Sequence, residues 1–493
     1  MIELPLEMKQ ELERAADKLR TAKQVLALSH IDADGITSMA IVIETLRRLG
    51  KQHTWRNIHQ INSESIIEVV DLVKESKPDV VVFSDFGSGQ IHLIKEHIIG
   101  LESVDSVIVL DHHIPPDDRA SHDNFSEKEN LIEINPCQHG LSGSKDISGA
   151  GVSFLFSLAI SPENSDLSEL AIVGATGDLQ DYYGKGFTGL NAEILKFGVE
   201  EGYIRVDRNL TLFGINTRPL PQLLQYATDP YIPGLTGDPD ACYYFFSDLG
   251  IELKDREDQW RRWVDLTGEE TESVIQKLFY EVLLYYDSHV AENLVGDVIT
   301  LLQRPPRSEM STAKEFSTLL NACGRNRRSD IGVKICLGDE EAFHSGKSLL
   351  QQHRANLAMA IRRIEDGGFE ERDGAFIVND PETQDTIIGI VIGMAQGSRI
   401  IPIDKPVIGI ATNTSDDGPM VKLSGRARKH IVKKGVNLKD VFSKVAEEMN
   451  SKYDKLVAEA GGHPMAAGAF VNNDYLEEFV NSVSESIAKI LNQ

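Results

Sequence analysis

Through its first 200 residues the chain alternates short apolar runs with longer amphipathic stretches. Gln24–Ser29 reads QVLALS, residues 79–84 read DVVVFS and residues 107–110 read VIVL. Runs that are apolar at nearly every position mark strands buried on both faces. Their alternation with helical stretches predicts an open, parallel α/β sheet. Near residue 201 the pattern changes. A Pro- and Gly-rich stretch, from Arg218-Pro219-Leu220-Pro221 through Pro230, Pro233 and Pro239, precedes a helical run over residues 271–291 and a break at Arg304-Pro305-Pro306. Such clusters punctuate a chain, so residues 201–310 read as a mostly helical connector. Further on, residues 339–366 predict a long polar helix, residues 375–378, 406–411 and 420–423 predict strands, and residues 412–419 a turn-rich loop. The expected organisation is an α/β domain over residues 1–200, the connector over 201–310, and a C-terminal region over 311–493 with a smaller α/β domain.

Length agrees, since 493 residues exceed what one ordinary core supports. The hydrophobic fraction, 41%, is that of a folded protein. The longest apolar run, residues 387–395, falls well short of the ~18 residues a membrane span needs. The N-terminal segment is acidic and amphipathic and lacks a signal-peptide core. No membrane partner and a cytoplasmic location are therefore expected. Four cysteines without a CxxC pair read as reduced thiols, and Cys137 near His139 reads as a loop pair rather than a metal site. The net charge of −26 excludes a generic basic coat protein for nucleic acid. It does not exclude an enzyme with a local basic groove, because fields are screened beyond about 10 Å. Two basic clusters exist, Arg325-Arg327-Arg328 and Arg426-Arg428-Lys429-Lys433-Lys434, and each taken alone reads as a solvated face.

Candidate chemistry gathers where the apolar runs end. Gln24–Ser29 runs into His30-Ile31-Asp32-Ala33-Asp34-Gly35, residues 79–84 into Asp85, and residues 107–110 into Asp111-His112-His113. A fourth carboxylate follows in Gly174-Ala175-Thr176-Gly177-Asp178. Ligands of open α/β sheets bind where the carboxyl ends of the strands converge, so these segments should meet in one cleft. Taken singly, an Asp after a strand is an ordinary turn or N-cap residue. Four together would repel one another severely unless a cation neutralised them. Carboxylate mixed with imidazole suits manganese or magnesium. Asp32, Asp34, Asp85, His112 and Asp178, with His30 as a further candidate, suffice for two ions if Asp85 bridges. Two ions ~3.5–4 Å apart activate a water and stabilise a leaving oxygen in phosphoryl displacement. His112 and His113 are neighbours and should point apart, one as ligand and one toward substrate. Asp111 is placed to hold an imidazole in the required tautomer.

These four motifs resemble, in order, those of the DHH phosphoesterase superfamily. Gly461-Gly462-His463-Pro464-Met465-Ala466-Ala467-Gly468 resembles the signature of the DHH-associated domain found in RecJ-like members. Asn135-Pro136, Gly149-Ala150-Gly151 and Leu320-Asn321-Ala322-Cys323-Gly324-Arg325 also fit RecJ-like chains, particularly archaeal ones that associate with the GINS replication complex. The resemblance covers both ends of the chain and is weak over residues 201–310.

The resemblance implies a dimetal domain that hydrolyses phosphodiesters and a second domain that grips the substrate. Family substrates include single-stranded DNA or RNA, short oligonucleotides, cyclic dinucleotides and pyrophosphate. By similarity, Asp32, Asp34, Asp85, His112 and Asp178 are the ligands, His113 lies near the scissile phosphate, and Ser424 and Arg426 contact substrate phosphate. Gly461, Gly462 and His463 read as a glycine-rich turn able to form an anion nest. The expected activity is a RecJ-like, manganese- or magnesium-dependent single-strand exonuclease acting in replication or repair. The alternatives are an oligonucleotide or cyclic-dinucleotide phosphodiesterase, a pyrophosphatase, and a replication scaffold that retains its metal site.

Overall fold

The structure, a computed structural model, describes residues 2–62, 65–115, 130–181, 185–227, 232–286, 288–411 and 420–492. The loop expected at 412–419 lies outside these residues. The chain divides into two compact units, residues 1–350 and 351–493.

In the first unit α1 (Leu6–Thr21), β1 (Gln24–Ser29), α2 (Ala33–Arg48), β2 (Gln52–Asn57), α3 (Ser65–Ser76), β3 (Val80–Ser84), α4 (Ile91–His97), β4 (Ser106–Leu110) and β5 (Leu131–Ile134) follow one another. The strands form one parallel sheet in the order β2-β1-β3-β4-β5. Successive side chains of a strand point to opposite faces. Val25, Ala27, Val82, Ile108 and Leu110 therefore join one core with α1, α2, α5 (Gly149–Ile160) and α6 (Ser168–Gly177). Leu26, Leu28, Val81, Phe83 and Val109 join another with α3 and α4. Both faces are covered at β1, β3 and β4, which is why these strands are apolar at nearly every position, whereas the edge strand β2 is polar.

Beyond α7 (Gly189–Glu200), β6 (Ile204–Leu210) opens the connector. Helices α8 (Leu220–Gln225), α9 (Pro239–Asp248), α10 (Gly268–Leu283) and α11 (Ser288–Glu292) follow, and β7 (Val295–Leu301) returns antiparallel to β6. Leu220, Phe246, Trp263, Val274 and Leu278 give this region its own core. Next, α12 (Ala313–Arg325) and α13 (Ser329–Cys336) bury Phe316, Leu319, Leu320, Val333 and Ile335 in the core that holds α2 and α6. Residues 311–350 thus pack with the first unit, although the Pro-Pro break at 305–306 groups them with the C-terminal region when read from sequence.

The unit boundary falls within the polar helix α14 (Glu340–Gly367), whose Ala360 and Ile364 join the core of the second unit, and this unit continues with β8 (Glu370–Glu371), β9 (Phe376–Asn379), α15 (Ile388–Gly397), β10 (Val407–Ala411), β11 (Met420–Arg426), α16 (Lys429–Lys433), α17 (Leu438–Tyr453), β12 (Ala458–His463), β13 (Ala466–Asn472) and α18 (Leu476–Leu491). The sheet order is β12-β13-β11-β10-β9-β8, with only β9 and β10 parallel. One face packs on Phe442, Val445, Phe479 and Val483 of α17 and α18, the other on Ile388, Val391 and Ile392 of α15.

Two expectations are corrected here. Ser424, Gly425 and Arg426 do not follow the strand but lie within β11, paired to both β10 and β13. Gly461 and Gly462 do not form a turn but lie in β12, and the chain reverses at Pro464-Met465. A Cβ on Gly462 would stand 2.5 Å from the Ala466 carbonyl oxygen, so close approach within the hairpin explains the glycine.

Candidate active site

The strand order turns between β1 and β3, the switch point where such sheets bind ligands. His30, Asp32 and Asp34 leave β1 at this point, Asp85 follows β3, and Asp111, His112 and His113 follow β4. Asp178 arrives differently from expectation. It caps the C-terminus of α6 rather than ending a strand, because residues 168–177 form that buried helix.

The structure brings these residues together. His112 Nε2 lies 3.2 Å from Asp85 Oδ1, 3.5 Å from Asp178 Oδ2 and 3.6 Å from Asp34 Oδ2. His30 Nδ1 lies 3.0 Å from Asp32 Oδ2 and 3.7 Å from Asp85 Oδ2. Asp85 thus turns one carboxylate oxygen to each histidine. Among the described residues three overlapping ligand groups result, His30-Asp32-Asp85, Asp34-His112-Asp178 and Asp85-His112-His113, each compact enough to hold one ion, with Asp85 and His112 each belonging to two. Asp85 and His112 are buried, yet Asp85 Oδ1 and His112 Nε2 have no hydrogen-bond partner. Buried polar atoms are nearly always paired, so this pair fits a cation that accepts both.

The surroundings orient the ligands. His112 Nδ1 donates to the Gly143 carbonyl at 2.6 Å, a tautomer that leaves a lone pair on Nε2. Gln180 donates to the same carbonyl and receives a bond from Asn191. Asp34 accepts from the Gly149 and Ala150 N–H groups at 2.6 and 2.9 Å, at the positive end of α5. Gly149 and Gly174 let helices close on the site, since Cβ atoms there would stand 2.5 Å from Asp85 Oδ1 and 2.3 Å from Asp34 Oδ1. Asp111 accepts from the N–H groups of Ser88, His112 and His113 and holds His113 Nδ1 at 2.8 Å, while the His113 ring stays half exposed. Asn321 on α12 accepts from the Ala33 N–H at 3.0 Å, between Asp32 and Asp34. Sequence reasoning gave no role to Gly143, Gln180 or Asn321. Cys137 and His139 take separate partners, the His112 carbonyl and Glu11.

The electrostatics describe a site short of positive charge. Burial, with Asp85 and Asp178 nearby, pushes Asp34 well above the carboxylate range. Burial pushes Asp178 up to about 7, with Asp32 and Asp85 adding and His112 opposing. Burial works against protonation of His112, but Asp85, Asp178 and Asp34 outweigh it and raise its pKa. Asp111 is held below the carboxylate range because His113 and His112 outweigh its burial. Carboxylates that cannot all ionise take up protons, and a bound cation displaces them.

The second unit carries a separate cluster. Lys422, Ser424 and Arg426 alternate along β11 and so share one of its faces. Lys422 sits over the Phe470 ring at 4.1 Å, and its burial lowers it to about 8. Arg426 lies against α15, where a Cβ on Gly389 would stand 2.5 Å from its Nη2. Gly461 pairs with Gly468, which pairs with Ser424, leaving a row without bulky side chains beside these cations. His463 is exposed at the end of β12. Lys422 was not singled out by the sequence.

The sequence matches the DHH family N-terminal domain over residues 24–175, the DHH-CID domain over 212–295 and the DHHA1 domain over 373–489. An uncharacterized protein of Methanocaldococcus jannaschii is 30% identical over 95% of this chain and 94% of that one. The single-stranded-DNA-specific exonuclease RecJ of Haemophilus influenzae is 22% identical over 98% of this chain and 70% of that one. Among solved structures, Thermus thermophilus RecJ in complex with Mn2+ superposes with a TM-score of 0.56 at 18% identity, covering 99% of this chain and 55% of that chain. Entamoeba histolytica CDC45 superposes with a TM-score of 0.60 at 13% identity, covering 99% and 98%. These structural likenesses establish the fold, and the chain spans little more than half of the Thermus protein.

Proposed function

This chain belongs to the DHH phosphoesterase superfamily as a RecJ-like member, and from that premise we propose that it is a two-metal, manganese-dependent exonuclease degrading single-stranded DNA or RNA. The observation that carries the reading is the buried pair Asp85 Oδ1 and His112 Nε2, without hydrogen-bond partners, amid the overlapping ligand groups. Divalent ions bound there supply a nucleophilic water at neutral pH and neutralise charge on the phosphate. The protein's own residues do the rest. Gly143 fixes the His112 ring, the start of α5 anchors Asp34, and Asp111 holds His113 so that its outer nitrogen donates to the phosphate or the leaving oxygen. In the second unit Lys422, Ser424, Arg426 and His463 bind polynucleotide backbone, Arg426 by its fork geometry.

We further propose the GINS replication complex as a partner that docks on the connector. The exposed Tyr243, Tyr244, Trp260 and Tyr280 of the connector supply the aromatic surface such docking needs. The test of the central reading is digestion of end-labelled DNA and RNA oligonucleotides with manganese, with cyclic dinucleotides, pyrophosphate and bis-p-nitrophenyl phosphate alongside. Stepwise shortening from one end is expected. Turnover of pyrophosphate or cyclic dinucleotides alone would overturn it.

A further inference from the structure

Beside the metal-ligand cluster, and wholly inside the first unit, lies a cavity of about 140 Å³ between the connector strands and α12. Its position is the first clue. Gly177 and Leu179, which flank Asp178, form part of its wall, and so does Asn321, whose side chain holds the Ala33 N–H between Asp32 and Asp34. Consecutive Cα atoms are ~3.8 Å apart, so the cavity wall adjoins the proposed ligand Asp178.

Its lining is the second clue. Leu179, Leu212, Phe213 and Val298 supply apolar walls, while Asp181, Asp297, Lys314, Glu315 and Thr318 supply charged and polar groups. Leu179 has a left-handed φ of 58° and leaves 58% of its surface exposed. A branched apolar residue seldom accepts that backbone, and strain of this kind is retained where it aims a side chain for use. The cavity is also braced. Glu315, buried on α12, accepts from Asn216 N–H and from the Thr217 hydroxyl, and Lys314 donates to the Thr211 carbonyl. Connector and helix are thereby pinned on either side of it.

We propose that this cavity takes the planar base of the nucleotide whose phosphate lies at the metal site. A slot of roughly this volume with apolar walls on part of its surface accommodates a single six-membered ring. Polar groups at a mostly apolar site orient such a ring. The cavity then acts as a ruler, seating the base so that its phosphate meets the ligand cluster. This inference rests on the proposed nuclease reading, and it adds that recognition of the base belongs to the connector and α12.

The test compares binding of thymidine 5′-monophosphate and deoxyribose 5-phosphate by calorimetry in saturating manganese. The native protein should bind the nucleotide at least tenfold more tightly. Thr318→Trp, which fills the cavity from the half-buried face of α12, should erase that difference while leaving manganese affinity and melting temperature unchanged. Phe213→Ala, which removes one wall, should reduce it about fivefold. Equal binding of the two phosphates by the native protein, or an undiminished difference in both variants, overturns the proposal. The outcomes separate from those of the nuclease reading. A protein that degrades oligonucleotides yet ignores the base refutes only the cavity. One that discriminates the base but shortens no polynucleotide refutes only the exonuclease.

Discussion

His112 Nε2 and Asp85 Oδ1 face each other at 3.2 Å inside the protein, within ion-pair distance but not aligned as a hydrogen bond, and neither atom hydrogen-bonds elsewhere. Leaving a buried donor or acceptor unsatisfied costs about 1–3 kcal/mol, and more for a charged group. The fold accepts this at the point where three carboxylates converge on one imidazole. Such an arrangement serves cation binding and works against stability of the metal-free protein.

That conflict has a pH signature. Asp178 titrates near 7 in the metal-free protein, above its unfolded value of about 4. The stability it contributes is complete below about pH 4 and is lost as pH rises through about 7. Metal-free protein should therefore lose melting temperature over this range, and Asp178→Asn should remove part of the slope. Saturating manganese should flatten it for the native protein, since the ion replaces the proton. Thermal unfolding across pH, with and without chelator, checks this.

Asp85 carries a second cost. Its φ of 62° lies in the left-handed region, where glycine is the easy occupant. Asp85→Gly should abolish hydrolysis yet raise the stability of the metal-free protein by on the order of 1 kcal/mol, from relieved strain and relieved repulsion. Denaturant unfolding in chelator measures the sign.

Much of this site was legible because its residues sit next to strands that announce themselves. β1, β3 and β4 are apolar on both faces, so His30, Asp32, Asp34, Asp85 and Asp111-His112-His113 follow in plain view. Asp178 was legible as a carboxylate but not as the cap of α6, since a buried helix and a buried strand share the same apolar run. Asn321 was out of reach as a positioning group because its bond to Ala33 spans 288 residues. β6 escaped notice because the exposed Arg205, Asp207 and Arg208 interrupt it, and β7 because Gly296 and Asp297 break its apolar run. Lys422 had no signal either, being the third residue of β11 with nothing in the sequence to mark its burial against Phe470.

The residues behind the ligands should matter for metal rather than for the fold. Asn321→Ala frees the Ala33 N–H and loosens the Asp32–Asp34 segment. Manganese affinity should fall about ten- to hundredfold while the melting temperature of the metal-free protein moves little. Calorimetric titration of the variant decides.

The two units should divide the work. Arg426→Ala and His463→Ala should lower kcat/KM on oligonucleotides about ten- to hundredfold and leave bis-p-nitrophenyl phosphate hydrolysis nearly unchanged, because a small substrate never uses those contacts. His112→Ala should abolish both. The Arg426→Ala defect should narrow as salt rises, since salt weakens the contact the variant already lacks. Equal losses of Arg426→Ala on both substrates would assign that residue to the fold.

Asp85 serves both sides of the site at once, with Oδ2 toward His30 and Oδ1 toward His112. Manganese titration of the native protein and of Asp85→Asn tests this most directly. Two ions per native chain, with both weakened together in Asp85→Asn, is the predicted result. Fewer than one ion per native chain at saturation, or a variant that retains both native affinities, would contradict it.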